Sequence, residues 1–252
     1  MSDVHILVER IAHAPEVLAI RFNRPEKKNA ITDAMYRRMA EALVAANNDP
    51  ETRVVAFLGT EGCFSAGNDM ADFLAFAMAG GKGKLAVLDF LTALATFEKP
   101  LVSGVDGLAI GIGTTLHLHC DMTVASSRSL FKTPFVDLAL VPEAASSLLA
   151  PRIMGHQRAF ALLAMGEGFS AEQASAAGLV WKVTEPEHVE TETLAIAMRL
   201  AAKPPEALKI ARDLLRGKSD DVLARIEDEA RHFVARLQSA EARAAFEAFM
   251  RR

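Results

Sequence analysis

The chain has 252 residues, of which 51% are hydrophobic and 24% are charged. That composition supports a substantial buried core and excludes a disordered chain. The formal net charge is −4, with 28 Lys and Arg against 32 Asp and Glu, so there is no general excess of basic residues for nucleic acid. Two cysteines are too few for a disulfide framework, and no apolar run reaches the length of a membrane span. These numbers favour a soluble globular enzyme.

We expect this enzyme to be cytoplasmic and to bind neither nucleic acid nor membranes. Its two cysteines, Cys63 and Cys120, are compatible with a reducing compartment. The first ten residues lack the apolar region of a secretory signal. The final residues, MRR, are not a peroxisomal or lipid-attachment signal.

The first elements predicted along the chain are strands followed by a helix. Residues 4–10 and 17–22 predict a hairpin with its turn at residues 15–16, where proline precedes glutamate. Residues 32–47 predict a helix, because methionine and leucine recur on one face every four residues. A short buried strand is predicted at Val54–Leu58.

The middle of the chain repeats an order of short strand, tight turn and helix. Residues 70–99 predict a helical region with a mobile lid or hinge at the glycine cluster of residues 80–83. A strand is predicted at residues 101–105. A glycine-rich turn at 106–113 then leads directly into an apolar helix, and another strand follows at 122–125. This order predicts an α/β fold.

From residue 144 onward the pattern is mostly helical. Pro204 and Pro205 mark a joint, beyond which one apolar stripe recurs at helical spacing. We therefore predict a core in residues 1–200 and a helical oligomerisation region in residues 201–252. The stripe must be covered by the body of the chain or by another subunit. It consists of Val222, Ile226, Ala230, Phe233, Val234 and Leu237.

Two glycine-containing turns are candidate parts of a functional site. They are FSAGND at residues 64–69 and GLAIGIG at residues 107–113, and each follows a short apolar strand. Backbone N–H groups at a helix start are unpaired, and glycine lets a ligand approach the main chain. Two such turns that face each other can hold a developing oxyanion. Ordinary strand-to-helix turns remain the alternative interpretation.

Several other classes of binding motif are incomplete. GIGTTL at residues 111–116 lacks the third glycine of a dinucleotide fingerprint. The sequence contains no Walker A pattern and no G-x-S-x-G elbow. A P-loop and an α/β-hydrolase site are therefore disfavoured.

Among the side chains that carry chemistry, Glu143 is the candidate base. It is flanked by apolar and small residues, so we expect desolvation to raise its pKa. A helix-start glutamate after Pro142 is the alternative. His117 and His119 are two residues apart on a predicted helix and point apart, which disfavours a metal site. Cys63 has no base placed beside it for thiol catalysis.

Taken together, these residues resemble the crotonase superfamily, the enoyl-CoA hydratase/isomerase family, over nearly the whole chain. The similarity is closest to the peroxisomal-type Δ3,Δ2-enoyl-CoA isomerase branch. RPEKKNA at residues 24–30 is similar to the family segment that borders the CoA moiety. The turns at 64–69 and 106–113 resemble the two oxyanion-hole motifs. Later matches lie at residues 154–159, 174–183 and 203–209.

The resemblance implies a crotonase-like spiral of ββα units with a C-terminal helical trimerisation region, in a trimer or a dimer of trimers. It implies an acyl-CoA thioester substrate, no metal, and no cofactor beyond the CoA of the substrate. The backbone N–H groups of Asn68 and Ile112 would donate to the oxyanion. The expected substrate-binding residues are Lys27, Ala30, Ser65, Ala66, Gly67, Asp69, Met70 and Gly111, with Phe135, Leu138 and Leu140 in an apolar acyl slot.

Hydratases of this family use two glutamates, and the matching positions here are Thr115 and Phe135. Their absence argues against water addition, because activating and protonating water needs acid and base groups. Glu143 instead matches the single acid of the isomerase branch. The resemblance therefore implies a Δ3,Δ2-enoyl-CoA isomerase with Glu143 as the proton shuttle. A hydratase or another enolate-forming enzyme, and a silent acyl-CoA binder, are the alternatives.

Overall fold

The computed structural model describes residues 4–71 and 85–250 of the chain. A six-stranded sheet has the order β1-β2-β3-β5-β7-β10, in which β1 and β2 are antiparallel and the other neighbours are parallel. Its strands are β1 (Ile6–Ile11), β2 (Ala14–Phe22), β3 (Val54–Leu58), β5 (Leu101–Val105), β7 (Met122–Ser126) and β10 (Lys182–Thr184).

A second, four-stranded sheet has the order β4-β6-β8-β9. Each strand of its parallel part follows a strand of the first sheet after a short turn, so the chain steps repeatedly from one sheet to the other and then into helical structure. This repetition is the spiral of ββα units. The strands are β4 (Cys63–Ser65), β6 (Leu108–Ile110), β8 (Leu130–Lys132) and β9 (Phe169–Ser170).

The helices of the described residues cover both faces of the first sheet. They are α1 (Asp33–Asn48), α2 (Ala86–Thr96), α3 (Ile112–Thr115), α4 (Ser146–Met154), α5 (His156–Leu163), α6 (Ala171–Ala176), α7 (Val189–Ala201), α8 (Pro205–Arg216), α9 (Ser219–Leu237) and α10 (Ala240–Met250). Helix α7 packs on β2, β3, β5 and β7 and closes a small apolar cluster. The larger core lies on the opposite face and includes residues of α1 and α2.

The predicted helix at residues 32–47 and the predicted strands at 54–58, 101–105 and 122–125 are confirmed to within one residue. The α1 helix begins where the sequence indicates, because the Thr32 hydroxyl accepts a hydrogen bond from the N–H of Met35. Strand β3 is buried along its whole length, as a parallel strand covered on both faces must be.

Two local predictions are wrong. Pro15 and Glu16 do not form the hairpin turn. They lie inside β2 beside an irregularity in its register with β1, and the turn is at residues 12–13. A bulge tolerates proline because no ladder N–H is needed there. The turn predicted at residues 106–113 contains strand β6, whose three residues are too few to show a periodic pattern.

The apolar stripe of the C-terminal region packs on the body of the same chain. Val222, Ile226, Phe233 and Leu237 are buried and belong to the main core, where α9 contacts α2 and α4. Ala230 and Val234 of the stripe are half-buried. The predicted lid at residues 80–83 lies outside the described residues.

Candidate active site

Two main-chain turns meet at one edge of the second sheet. Strands β4 and β6 are parallel neighbours, so the residues that follow them emerge side by side. Gly67 has φ +89°, and a Cβ atom on it would lie 2.9 Å from the carbonyl oxygen of Ile110. Gly111 has φ +57°, which also favours glycine. Gly67 therefore permits the close contact between the turns, and Gly111 permits the backbone conformation of the second turn.

The expected oxyanion donors lie on these two turns. Among the described residues, neither the N–H of Asn68 nor that of Ile112 donates a hydrogen bond, whereas the N–H of Asp69 donates to Ile31 at 2.9 Å and that of Gly111 to Lys132 at 2.8 Å. Ile112 is fully buried. A buried N–H without a partner is uncommon in folded proteins, and a pair of free donors on adjacent turns is what a developing oxyanion requires.

The segment at residues 24–30 supports the first turn. Asn29 is fully buried, and its side-chain amide donates to the carbonyl oxygens of Cys63 at 2.9 Å and Phe64 at 3.1 Å. Arg24 forms a 2.6 Å ion pair with Asp69. The described contacts thus give Asp69 a structural partner. The resemblance implies only that this segment borders the CoA moiety, so sequence reasoning misses the contacts by which Arg24 and Asn29 support the turn.

The remaining predicted contacts of the first turn differ in exposure. Lys27 is exposed at the end of a 3-10 turn, Pro25–Lys27. Ala30 is half-buried, and its carbonyl accepts from Arg24 at 2.9 Å. Ser65 is fully buried, donates to the carbonyl of Asn29 at 2.8 Å and accepts from the N–H of Gly67 at 3.1 Å. Ser65 therefore acts inside the turn.

A cavity of about 560 Å³ opens between the two turns and the C-terminal helices. Most of the predicted binding residues line it: Ala66, Gly67, Asn68, Met70, Gly111, Phe135, Leu138 and Leu140. Lys27, Ala30, Ser65, Asp69, Ile112 and Glu143 are not among its lining residues. Asp137 also lines the cavity, and sequence reasoning missed Lys132, Phe233, Ala245 and Ala248 of its wall. The last three come from α9 and α10, whose sequence pattern indicates only packing.

Glu143 is buried, as its apolar neighbours in the sequence predict, with 7% of its surface exposed. One carboxylate oxygen accepts a 2.6 Å hydrogen bond from the hydroxyl of Thr115, and the other has no partner among the described residues. Burial raises the pKa of Glu143 to about 8; the Thr115 hydrogen bond opposes this, and the charge of Glu229 adds to it. A carboxyl with this pKa takes and returns protons near neutral pH.

Tyr36 links helix α1 to the first turn. Its hydroxyl donates a 2.6 Å hydrogen bond to the side-chain oxygen of Asn68. Burial, and then the charge of Glu143, raise the pKa of Tyr36 well above its usual value, so its hydroxyl remains protonated. Sequence reasoning missed Tyr36, since it lies on the buried face of α1 and 32 residues from Asn68.

The other candidate side chains for catalysis or metal binding are His117, His119 and Cys63. The Nδ1 atom of His117 forms a 2.9 Å hydrogen bond with the hydroxyl of Ser103, and burial lowers the pKa of His117 to about 3. His119 contacts the carbonyl of Ala144 at 2.7 Å, and burial lowers its pKa to about 4. Burial also raises the pKa of the Cys63 thiol, which disfavours a thiolate.

Metal-ligand clusters and membrane-spanning helices are absent from residues 4–71 and 85–250. Within them, no group of three or more His, Cys, Asp or Glu side chains is arranged to hold a metal ion. No helix in the same residues has the length and apolar character needed to cross a membrane.

Comparison with known proteins gives a consistent assignment. The family model described as enoyl-CoA hydratase/isomerase matches residues 13–252. Enoyl-CoA delta isomerase 2 of Rattus norvegicus is 36% identical over 217 residues, which cover 84% of this chain and 55% of that protein. The 2,3-dehydroadipyl-CoA hydratase of Escherichia coli K12 is 30% identical over 213 residues, covering 84% and 83%.

The fold is shared with solved structures. Pseudomonas aeruginosa OdaA superposes with a TM-score of 0.92 at 40% identity, covering 98% of this chain and 99% of that one. An enoyl-CoA hydratase/isomerase from Pseudoalteromonas atlantica T6c gives a TM-score of 0.91 at 36% identity, covering 98% and 97%. The chain spans about half the length of the delta isomerase 2 proteins that it matches.

We predict that Glu143→Gln stabilises the protein at high pH. The pKa of Glu143 is raised from 4.5 to about 8, so the fold loses stability as the pH rises through this interval and the buried group ionises. Each pKa unit corresponds to about 1.4 kcal/mol, so the variant should gain a few kcal/mol above pH 8. Urea unfolding at pH 5 and pH 9 measures this gain. An equal free-energy difference between variant and wild type at both pH values would contradict it.

Proposed function

Because the chain belongs to the enoyl-CoA hydratase/isomerase family, we propose that it acts on acyl-CoA thioesters and moves the double bond of a 3-enoyl-CoA to the 2,3 position. The observation that carries this proposal is the buried carboxylate of Glu143, which accepts a hydrogen bond from the Thr115 hydroxyl. Thr115 occupies the place of a glutamate in the related hydratases. Here its hydroxyl donates a hydrogen bond to Glu143, the acid that remains.

The reaction begins with polarisation of the thioester. Its carbonyl oxygen accepts hydrogen bonds from the free N–H groups of Asn68 and Ile112, which stabilise negative charge on that oxygen. The C2 proton thereby becomes acidic. Ionised Glu143 removes it, and the electron pair of the C2–H bond enters a dienolate that extends from the carbonyl to C4.

The same carboxyl group then returns the proton to C4. The electron pair of the former C3–C4 double bond forms the new C4–H bond, a C2–C3 double bond forms, and the thioester carbonyl is restored. One acid suffices because C2 and C4 lie on the same side of a planar dienolate. The apolar residues Phe135, Leu138 and Leu140 line the acyl slot in this proposal and exclude water from it.

The second glutamate position of the hydratases also supports isomerisation. Phe135 stands there, is 6% exposed and lines the cavity. Its ring can neither bind nor protonate a water molecule. CoA itself is part of the substrate, and we place it beside Lys27 and Ala30, on the outer side of the first turn, with no additional cofactor or metal needed for the proton transfers.

We further propose that the chain works as a homotrimer or a dimer of trimers in the cytoplasm. Support comes from α8, whose Ile210, Leu214 and Leu215 are 51%, 80% and 89% exposed. Large apolar side chains clustered on one exposed helix face are typical of a subunit interface. The expected oligomerisation region, residues 201–252, includes this helix.

Glu143→Gln should lower kcat for isomerisation of a 3-enoyl-CoA by about 10²- to 10⁴-fold, because a general base contributes about that much to the rate. Product formation is followed for 3-enoyl-CoA and 2-enoyl-CoA esters. Asp137→Asn tests whether the carboxylate of Asp137, which lines the cavity, acts as the base instead. Wild-type activity in the Glu143 variant, or hydration of crotonyl-CoA in place of isomerisation, would contradict the proposal; binding without turnover of any ester would indicate a silent binder.

Tyr36→Phe should lower kcat about tenfold and leave KM nearly unchanged. The side chain of Asn68 loses its hydrogen bond from Tyr36, while the backbone N–H of Asn68 remains. Steady-state kinetics with the 3-enoyl-CoA measures both constants. Tyr36→Phe removes one hydroxyl and keeps the ring contact with Phe90. A large rise in KM at constant kcat would show that Tyr36 contributes to substrate binding instead.

Replacing Leu214 and Leu215 together by aspartate should convert the assembly to smaller species, because charges would enter the proposed interface. Light scattering coupled to size exclusion measures the mass. The double variant Glu206→Ala and Asp213→Ala on the same helix is the control for a change of charge alone. A wild-type chain that is monomeric at micromolar concentration would exclude the proposed interface.

A further inference from the structure

Helix α9 carries a buried carboxylate that the proposed reaction does not use directly. Glu229 is 6% exposed and lies between Ile226 and Phe233 on the buried face of the helix. A carboxylate at such a position is unfavourable unless hydrogen bonds or charges compensate its lost hydration. The compensation comes from the start of α4.

Glu229 caps α4 from another helix. Helix α4 has no side-chain cap of its own at Ala145. One oxygen of Glu229 accepts hydrogen bonds from the N–H of Ser147 at 2.9 Å and from its hydroxyl at 2.5 Å. A negative charge at the first turn of a helix is stabilised by the exposed N–H groups there.

This cap fixes the main chain that carries Glu143. Ala144 and Ala145 have φ +61° and +54°, a conformation that is unfavourable for alanine by about 1 kcal/mol or more. The turn is closed by the N–H of Ser146 on the carbonyl of Glu143 at 3.0 Å. Three residues with fixed main chain therefore separate Glu143 from the residue that Glu229 holds.

The two carboxylates are both buried, and they differ in the number of hydrogen bonds that they accept. Glu229 has two donors, the N–H and the hydroxyl of Ser147, and Arg225 donates to that hydroxyl at 3.1 Å. Burial raises the pKa of Glu229, and these hydrogen bonds and the charge of Arg225 oppose the rise. Glu143 has one donor, Thr115. The other titratable groups near Glu143 in the described residues are Tyr36 on α1 and His119, which contacts the carbonyl of Ala144. Glu229, which accepts more hydrogen bonds, therefore stays ionised, and Glu143 is the group that binds the proton.

We propose that Glu229 is a positioning residue of the active site: it anchors the turn that presents Glu143, and its negative charge sets the pH range in which Glu143 exchanges its proton. This inference rests on the proposed role of Glu143 as the base. It links the C-terminal helix to the reacting group through Ser147.

Glu229→Gln separates charge from geometry, because the amide oxygen can still accept from Ser147. We expect the acid limb of the kcat profile for 3-enoyl-CoA to move to lower pH by about half a unit or more. Glu229→Asp keeps the charge but shortens the side chain, so it should lower the plateau of kcat about tenfold with a smaller shift in midpoint. Glu227→Gln, at an exposed position of the same helix, is the matched control and should behave as wild type.

A second measurement does not depend on activity. In protein labelled with ¹³C at the glutamate carboxyl, the resonance absent from Glu143→Gln identifies Glu143, and its titration midpoint should fall in Glu229→Gln and not in Glu227→Gln. Thermal unfolding confirms that each variant is folded.

The outcomes separate the two proposals. An unchanged Glu143 midpoint in folded Glu229→Gln overturns the role of Glu229, even if its melting temperature falls. An inactive wild type with a shifted midpoint overturns the isomerase and supports the Glu229–Glu143 coupling.

Discussion

The close approach of two main-chain turns is the constraint on which the site depends. Gly67 lies so near the carbonyl of Ile110 that a side chain at this position would force the two turns apart. The parallel pairing of β4 with β6 also brings the two turns together, because each turn follows one of these strands. The two N–H groups proposed to bind the thioester oxygen belong to Asn68 and Ile112, one residue beyond Gly67 and Gly111. Preorganised donors of this kind need no rearrangement during the reaction, which is why they are effective.

The proposed acid, Glu143, is held under unfavourable conditions. Glu143 is buried with one hydrogen bond, next to two alanines in the left-handed conformation. Such features reduce stability and are common where a protein keeps a reactive group poised. The surrounding structure supplies the compensation: His119 contacts the carbonyl of Ala144, and Glu229 caps the helix that follows.

The sequence pattern predicts well what depends on neighbouring residues. Helix α1 with its Thr32 cap, the apolar strand β3 and the desolvation of Glu143 all follow from local composition. The short strands β4 and β6 have too few residues to show a period, so only the spacing of the motifs indicates the site there. Tyr36 and Glu229 were missed because their partners are 32 and 82 residues away, and both look like ordinary members of a helix.

The last two helices contribute to the cavity as well as to the core. Phe233, Ala245 and Ala248 form part of its wall, while Glu229 on the same segment holds the start of α4. This segment is therefore not an interchangeable module. A chimera that took these helices from a relative would import a different cavity wall and a different helix cap together, so the proposed acyl slot and the proposed proton transfer would change as one unit during divergence.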